Sequence, residues 1–246
     1  MRHPFFASTR PLVFAHRGGS ALAPENTMPA FDNGLAHGAD GLELDVHLSR
    51  DGVVVVHHDR TLDRTTSLRG PIAERAADEL RRAAVPTLGE VLARHREPRV
   101  IIELKVNSEA MARAAVEVVR HAGAVDRVCF GSFGRRVLRA VRALEPSVAT
   151  SAAREEVRWA LYRSRCRWPV TRVAYRGYQV PERSGRTRVV SPRFVRDAHR
   201  AGLAVQVWTV DTAEAAQRLL EWGVDALITD RPDIIVPLVT KERRDR

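Results

Sequence analysis

The chain has 246 residues, 44% apolar and 28% charged, with 40 basic against 30 acidic side chains and a formal charge of +10. An apolar fraction near the globular average excludes a disordered chain, and the length suits a single barrel domain spanning residues 1–246. Two cysteines, Cys129 and Cys166, are too few for a disulfide scaffold and too far apart for a zinc site, so both read as reduced thiols.

From the N-terminus, Arg10 arrives before any apolar run of signal-peptide length, and no later stretch approaches the roughly 18 apolar residues of a membrane span. The expectation is a cytoplasmic protein. Short runs rich in valine and isoleucine predict strands at Leu12–Ala15, Gly41–His47, Arg99–Lys105, Asp126–Gly131, Ser147–Thr150, Val170–Ala174, Ala204–Thr209 and Asp225–Thr229. Helical periods fall between them at Thr27–His37, Leu88–His95, Ser108–His121, Arg135–Leu144, Ala153–Arg163, Pro192–Ala201 and Thr212–Trp222, with a last helix from Asp233. Ser108 reads as a cap, and Gly123, Gly202 and Gly223 stand just past helix ends. Eight strands alternating with eight helices predict an α/β fold, the (β/α)8 TIM barrel. The segment from Val53 to Pro86 is extra and reads as a small insertion after the second strand, lying over the barrel mouth.

Chemistry collects at predicted strand ends. In Gly41-Leu42-Glu43-Leu44-Asp45-Val46 the two acids stand two residues apart, so on a strand they share a face with Cα atoms about 6–7 Å apart. By itself this is either an ordinary amphipathic strand or one wall of a cation site. Ile101-Ile102-Glu103-Leu104-Lys105 repeats the two-residue offset with an acid and a lysine. Glu43, Asp45 and Glu103 meeting at one rim would repel strongly unless a divalent cation neutralised them, and all-oxygen ligation favours Mg²⁺ or Ca²⁺ over Zn²⁺.

His16-Arg17-Gly18-Gly19 follows the first strand. Its glycines allow positive φ and close backbone approach, and Arg17 offers forked donors suited to a phosphate oxygen. In Pro24-Glu25-Asn26-Thr27, Asn26 or Thr27 caps the first helix. After Val53–Val56 come His57, His58 and Asp59, which read either as polar side chains facing solvent or as a histidine over the mouth that pairs with His16 in proton transfer. Trp208 shares a strand face with Gln206 and reads either as core or as an apolar wall for a ligand's carbon skeleton. Leu227–Pro232 reads as a capped turn closing the last strand.

Together these segments resemble the glycerophosphodiester phosphodiesterase family. The resemblance runs through His16-Arg17-Gly18, Pro24-Glu25-Asn26-Thr27, Glu43-Leu44-Asp45, His58-Asp59 with Thr61–Thr65, Val85–Leu88, Ile102–Lys105, Trp208-Thr209-Val210 and Ile228–Pro232. It implies a TIM barrel, a divalent metal at Glu43, Asp45 and Glu103, and catalytic histidines at His16 and His58. It also implies that Arg17 and Lys105 hold the phosphate and that Trp208 lines the alcohol pocket. The expected reaction is metal-dependent hydrolysis of a small glycerophosphodiester to sn-glycerol 3-phosphate and an alcohol such as choline or ethanolamine. Arg172–Pro192 matches no assignable pattern and bears on the substrate, as does the short insertion.

Two other functions compete. A phospholipase D-like hydrolase of lysophospholipids would use the same chemistry, but the sequence shows no long exposed apolar or amphipathic segment for docking on a membrane. A non-catalytic polyanion binder would use the +10 charge. That charge is almost all arginine, spread along the whole chain, with lysine only at Lys105 and Lys241 and no basic cluster interleaved with aromatics, so no specific nucleic acid is expected. The absence of heptads or an interface stripe leaves the oligomeric state open.

Overall fold

In the computed structural model, which describes residues 3–171 and 173–241, apolar runs buried on both faces become the staves of a parallel barrel. Among the described residues the staves are β1 (Leu12–His16), β2 (Gly41–Leu48), β4 (Arg99–Leu104), β5 (Val128–Gly131), β6 (Ala149–Thr150), β7 (Gly177–Pro181), β10 (Ala204–Trp208) and β11 (Ala226–Thr229). They run in the order β6-β5-β4-β2-β1-β11-β10-β7. A parallel bridge from Ser151 to Gly177 closes the ring, with the Ala152 N–H donating to the Gly177 carbonyl at 2.9 Å. This is a (β/α)8 TIM barrel.

Helices α1 (Met28–Ala36), α3 (Leu88–Arg94), α4 (Glu109–His121), α5 (Arg135–Leu144), α6 (Arg154–Arg165), α7 (Pro192–Arg200), α8 (Ala213–Glu221) and α9 (Pro232–Lys241) cover the outside. Side-chain oxygens start several of them: Ser108 accepts from the Met111 N–H, and Thr87 with Glu90 forms a reciprocal capping box. At α1 the cap is Thr27, which accepts from the Ala30 N–H; Asn26 is instead buried at φ 57° and serves the site.

The insertion has its own structure. Strand β3 (Val54–Val56) lies antiparallel on β2, and a 3-10 turn (Ile72–Glu74) and α2 (Ala77–Arg82) follow. Val55, Leu62, Ile72, Leu80 and Val85 bury one another beneath it.

One predicted strand was misplaced. Val170–Ala174 does not form a stave; the strand is β7, beginning at Gly177, and Arg172 lies outside the described residues. Gly177 and Pro181, which look like breakers in the sequence, are there for packing. A Cβ at Gly177 would come within 3.0 Å of the Ala204 carbonyl oxygen and 3.2 Å of the Phe6 ring. Pro181 closes the strand opposite Trp208.

Period-two alternation sorts the barrel interior into layers. Phe5, Phe14, Ile101, Cys129, Ala204, Ala226 and Ile228 pack as one apolar cluster, with Trp208 against it. The polar inward positions His16, Glu103 and Gln206 are two residues beyond Phe14, Ile101 and Ala204 on the same strands, toward the mouth. No helix among the described residues is long and apolar enough to cross a membrane.

Candidate active site

At the mouth lies a cavity of about 770 Å³. His16, Arg17, Glu43 and Asp45 line it, and so do His58, Glu103, Lys105 and Trp208, so the eight residues singled out from the sequence share one space.

Strand register explains the convergence. Glu43 stands opposite His16 across β1 and β2, and Asp45 stands opposite Glu103 across β2 and β4. The chain then turns sharply after His16, with Arg17, Gly18 and Gly19 all in the left-handed region at φ 51°, 89° and 93°. Gly18 is required there for contact as well as conformation, since a Cβ would lie 2.6 Å from the Ala30 carbonyl carbon. The turn brings the Arg17 N–H to Glu43 Oε2 at 3.2 Å and its guanidinium over Asp45, Nε to Oδ2 at 3.3 Å.

Asp45 is the most heavily partnered acid. Lys105 Nζ donates to Oδ1 at 3.1 Å and Asn26 Nδ2 donates to Oδ2 at 2.9 Å. Burial would raise its pKa, but Lys105, Arg17 and the Asn26 hydrogen bond outweigh that and hold it below the usual carboxylate value. Its neighbours behave oppositely. Burial, reinforced by Asp45, pushes Glu43 upward, and burial pushes Glu103 up to about 8 against the pull of Lys105, with Asp45 and Glu43 adding to the rise.

Each histidine is held from behind by an aspartate. His16 Nδ1 meets Asp230 Oδ1 at 2.7 Å, leaving Nε2 3.7 Å from Glu43. Asp230 also accepts from the Ser20 hydroxyl at 2.5 Å. His58 Nδ1 meets Asp59 Oδ1 at 2.7 Å. Asp59 continues into a chain of charges: Arg64 Nε donates to it at 2.6 Å, Arg64 also pairs with Glu25 at 2.7 Å, and Glu25 pairs with Arg17 at 3.1 Å. That chain ties the insertion to the first loop and to Asp45.

Sequence reasoning gave no role to Asp230, Asp59, Glu25 or Arg64, and read Asn26 only as an alternative helix cap. All five stand inside motif blocks it had singled out, but a carboxylate's partner 214 residues away is not visible as spacing.

Among the described residues no three His, Cys, Asp or Glu side chains are gathered around one point as a metal's ligands, and Asp45 is turned to Lys105 and Arg17. The chemistry nonetheless fits. Glu43 is buried and Glu103 half-buried on the cavity wall, both with raised pKa values where negative charge lacks compensation, and oxygen donors suit a hard divalent ion.

The outer cavity differs from the expectation of no exposed amphipathic segment. Helix α6 places Arg154, Arg158 and Arg165 on the lining, and Trp159 and Tyr162 on the same helix are 65% and 52% exposed.

The sequence profile of the glycerophosphoryl diester phosphodiesterase family matches residues 16–234. The chain belongs to that family. A glycerophosphodiester phosphodiesterase of Caldanaerobacter subterraneus is 30% identical, the match covering 94% of this chain and 98% of that protein. The Mycobacterium tuberculosis protein named probable glycerophosphodiester phosphodiesterase 2 is 35% identical over 91% of this chain and 89% of its own length. Among solved structures, a phosphodiesterase of Oleispira antarctica in complex with the product sn-glycerol-3-phosphate superposes with a TM-score of 0.75 at 28% identity, covering 94% of this chain and 97% of that one. The phosphodiesterase is thus an enzyme of the phosphoric diester hydrolase class, and a purely polyanion-binding role is set aside.

Proposed function

We propose that the enzyme hydrolyses glycerophosphodiesters to sn-glycerol 3-phosphate and an alcohol, using one divalent cation, Mg²⁺ or Ca²⁺, at Glu43, Asp45 and Glu103. The observation that carries the reading is the pair of aspartate-backed imidazoles, His16 and His58, lining one cavity with Arg17 and Lys105. The product-bound Oleispira relative supports the substrate class.

A phosphodiester carries one negative charge, and more develops on its equatorial oxygens and leaving oxygen as a nucleophile attacks. Arg17 and Lys105 are the cations positioned to meet that charge. Arg17 Nε is buried and ion-paired with Asp45 at 3.3 Å without forming a hydrogen bond to it, so its N–H is a donor that a phosphate oxygen can take up. A cation held by the three carboxylates would supply further charge stabilisation as a Lewis acid. With Nδ1 occupied by an aspartate, each histidine works through Nε2: one removes a proton from the nucleophile, either water or the neighbouring glycerol hydroxyl, and the other protonates the departing alcohol oxygen. Attack by the glycerol hydroxyl leaves a cyclic phosphodiester that water then opens to sn-glycerol 3-phosphate. Trp208 supplies an apolar wall, its ring edge-on to Phe133 at 6.2 Å.

The test is a coupled assay for released glycerol 3-phosphate with glycerophosphocholine. His16→Ala and His58→Ala should each lose about 10²–10⁴ in turnover. Chelator-stripped protein should be inactive and recover with Mg²⁺ or Ca²⁺. Near-normal turnover in either variant, or full activity after stripping, would overturn the corresponding role. The exposed Trp159 and Tyr162 beside the mouth favour a second reading, hydrolysis of lysophospholipids; comparing lysophosphatidylcholine with glycerophosphocholine separates the two.

A further inference from the structure

The cavity has two electrically distinct halves. Its lining acids, Glu43, Asp45 and Glu103, are all on β2 and β4, at the reaction end. The outer half runs between α6 and the hairpin of β8 (Arg183–Ser184) and β9 (Thr187–Arg188), within the stretch that matched no sequence pattern. No carboxylate lines it among the described residues, whereas Arg154, Arg158 and Arg165 do.

Helix periodicity makes this a face, not a scatter. Val157, Arg158, Leu161 and Arg165 stand three, four, seven and eleven residues beyond Arg154, so a single stripe of α6 faces the cavity. The acids of the same helix are engaged elsewhere: Glu155 pairs with Arg135 and Glu156 with Arg142. Among the described residues no carboxylate pairs with Arg154, Arg158 or Arg165; Arg165 makes only a 3.5 Å contact to the Arg188 carbonyl. Other surface arginines, such as Arg113 and Arg139, also have no carboxylate partner among the described residues, whereas Arg94 pairs with Asp32 and Arg218 with Glu182; what sets these three apart is that they line the cavity that holds the reaction end. The stripe is also joined to the reaction end. Arg154 lies 4.8 Å above the Phe133 ring, and Phe133 meets Trp208.

We propose that the outer half of the cavity is an anion subsite, in which Arg154, Arg158 and Arg165 select glycerophosphodiesters whose outward-facing alcohol carries a further phosphate or phosphodiester. The proposal rests on the phosphodiesterase reading above and adds the charge of the alcohol. Planar guanidinium forks recognise phosphate oxygens, whereas a quaternary ammonium group is repelled by three unpaired cations and finds no acid there.

The test compares kcat/KM for 1,3-bis(glycerophospho)glycerol and glycerophosphocholine, both read as released glycerol 3-phosphate. Exposed charge contacts contribute about threefold each, so the native enzyme should favour the anionic diester by roughly tenfold or more, chiefly through KM. The preference should shrink as salt screens it. In the triple variant R154Q/R158Q/R165Q the ratio should fall to within about twofold of unity.

Vesicles of dioleoylphosphatidylglycerol, added as competitor, identify the source of the anion. Competition that disappears in the triple variant supports the subsite with a lipid headgroup as ligand, and selectivity without competition supports it with a water-soluble diester. Equal or better cleavage of glycerophosphocholine by the native enzyme would overturn the subsite, as would an equal fractional loss on both substrates in the variant. Absence of glycerol 3-phosphate from both diesters would instead refute the phosphodiesterase reading and the subsite with it.

Discussion

An imidazole in a wet cleft can turn over and exchange tautomers; His16 and His58 are denied that freedom by Asp230 and Asp59, each 2.7 Å from Nδ1. Asp230→Asn keeps the shape but removes the charge, and its amide can present a donor where Nδ1 needs an acceptor. We expect kcat to fall about ten- to a hundredfold with KM little changed, a part of what a positioned acid or base contributes, as measured by steady-state kinetics. A KM effect alone would deny the positioning role. The neighbouring His57 differs in kind. Its Nδ1 meets the Asp59 carbonyl and its Nε2 the Thr65 hydroxyl, both at 3.0 Å, and burial lowers its pKa from 6.5 despite its contacts with Asp59. Because the folded value lies below the unfolded one, the unfolded chain binds the proton first as pH falls. The stability given by neutral His57 is therefore complete above pH 6.5 and is lost progressively below it. His47, lowered by burial too, acts in the same direction. His57→Gln should lower Tm at about pH 7.5 and narrow the gap to the native protein at about pH 5.5; a gap that stays constant would contradict this. At this scale the sequence showed which residue types stand at strand ends, because period two is local. It did not show Asp230 behind His16, because that contact is made only when the last strand closes on the first.

The short 3-10 helix Pro4–Phe6 carries more of the fold than its length suggests. Phe5 is fully buried, its ring stacked on Phe14 at 5.8 Å and edge-on to Phe6 at 4.9 Å, so the two phenylalanines plug the barrel end away from the site. Phe5→Ala would remove a buried ring from a layer whose neighbours are tied to the strands and cannot collapse inward. We expect a loss of about 3–5 kcal/mol by urea denaturation, against a much smaller loss for Phe5→Leu. A cost under about 1 kcal/mol would mean the plug is not part of the core. Three residues are too few to show a period, so the sequence assigned this segment no place in the fold. The long elements were legible for the converse reason: α4 and α5 keep their apolar stripes over 13 and 10 residues, and each begins and ends within a residue of its predicted bounds. Strand β7 was not legible, because a glycine chosen for close approach and a closing proline carry the marks of a turn.

As a whole, the barrel is a ring with unequal joints. β2 and β4 pair over six residues, whereas β6 is two residues long and meets β7 through a single bridge with its flanking hydrogen bonds. Arg142 spans this joint from α5. Its Nε donates to the Thr150 hydroxyl at 2.9 Å, Nη2 to the Ser151 carbonyl at 2.9 Å, and Nη1 to Glu156 at 2.8 Å, with the side chain only 13% exposed. One fork thus fixes the end of β6 and the start of α6, the helix that carries the arginine stripe. Arg142→Ala would leave the Ser151 carbonyl without its side-chain donor and Glu156 without its cation, with only the Ala153 N–H still donating to it, at a cost of about 2–3 kcal/mol. Lysine should not rescue it, since a single ammonium cannot reach three acceptors in a fork. Local opening should follow the weak joint, so hydrogen exchange in the variant should quicken at Ala152 and Arg176, whose N–H groups close the ring, while β2 and β4 stay protected. Uniform acceleration around the barrel would show instead that all its joints open together and that Arg142 stabilises the molecule without guarding any one of them.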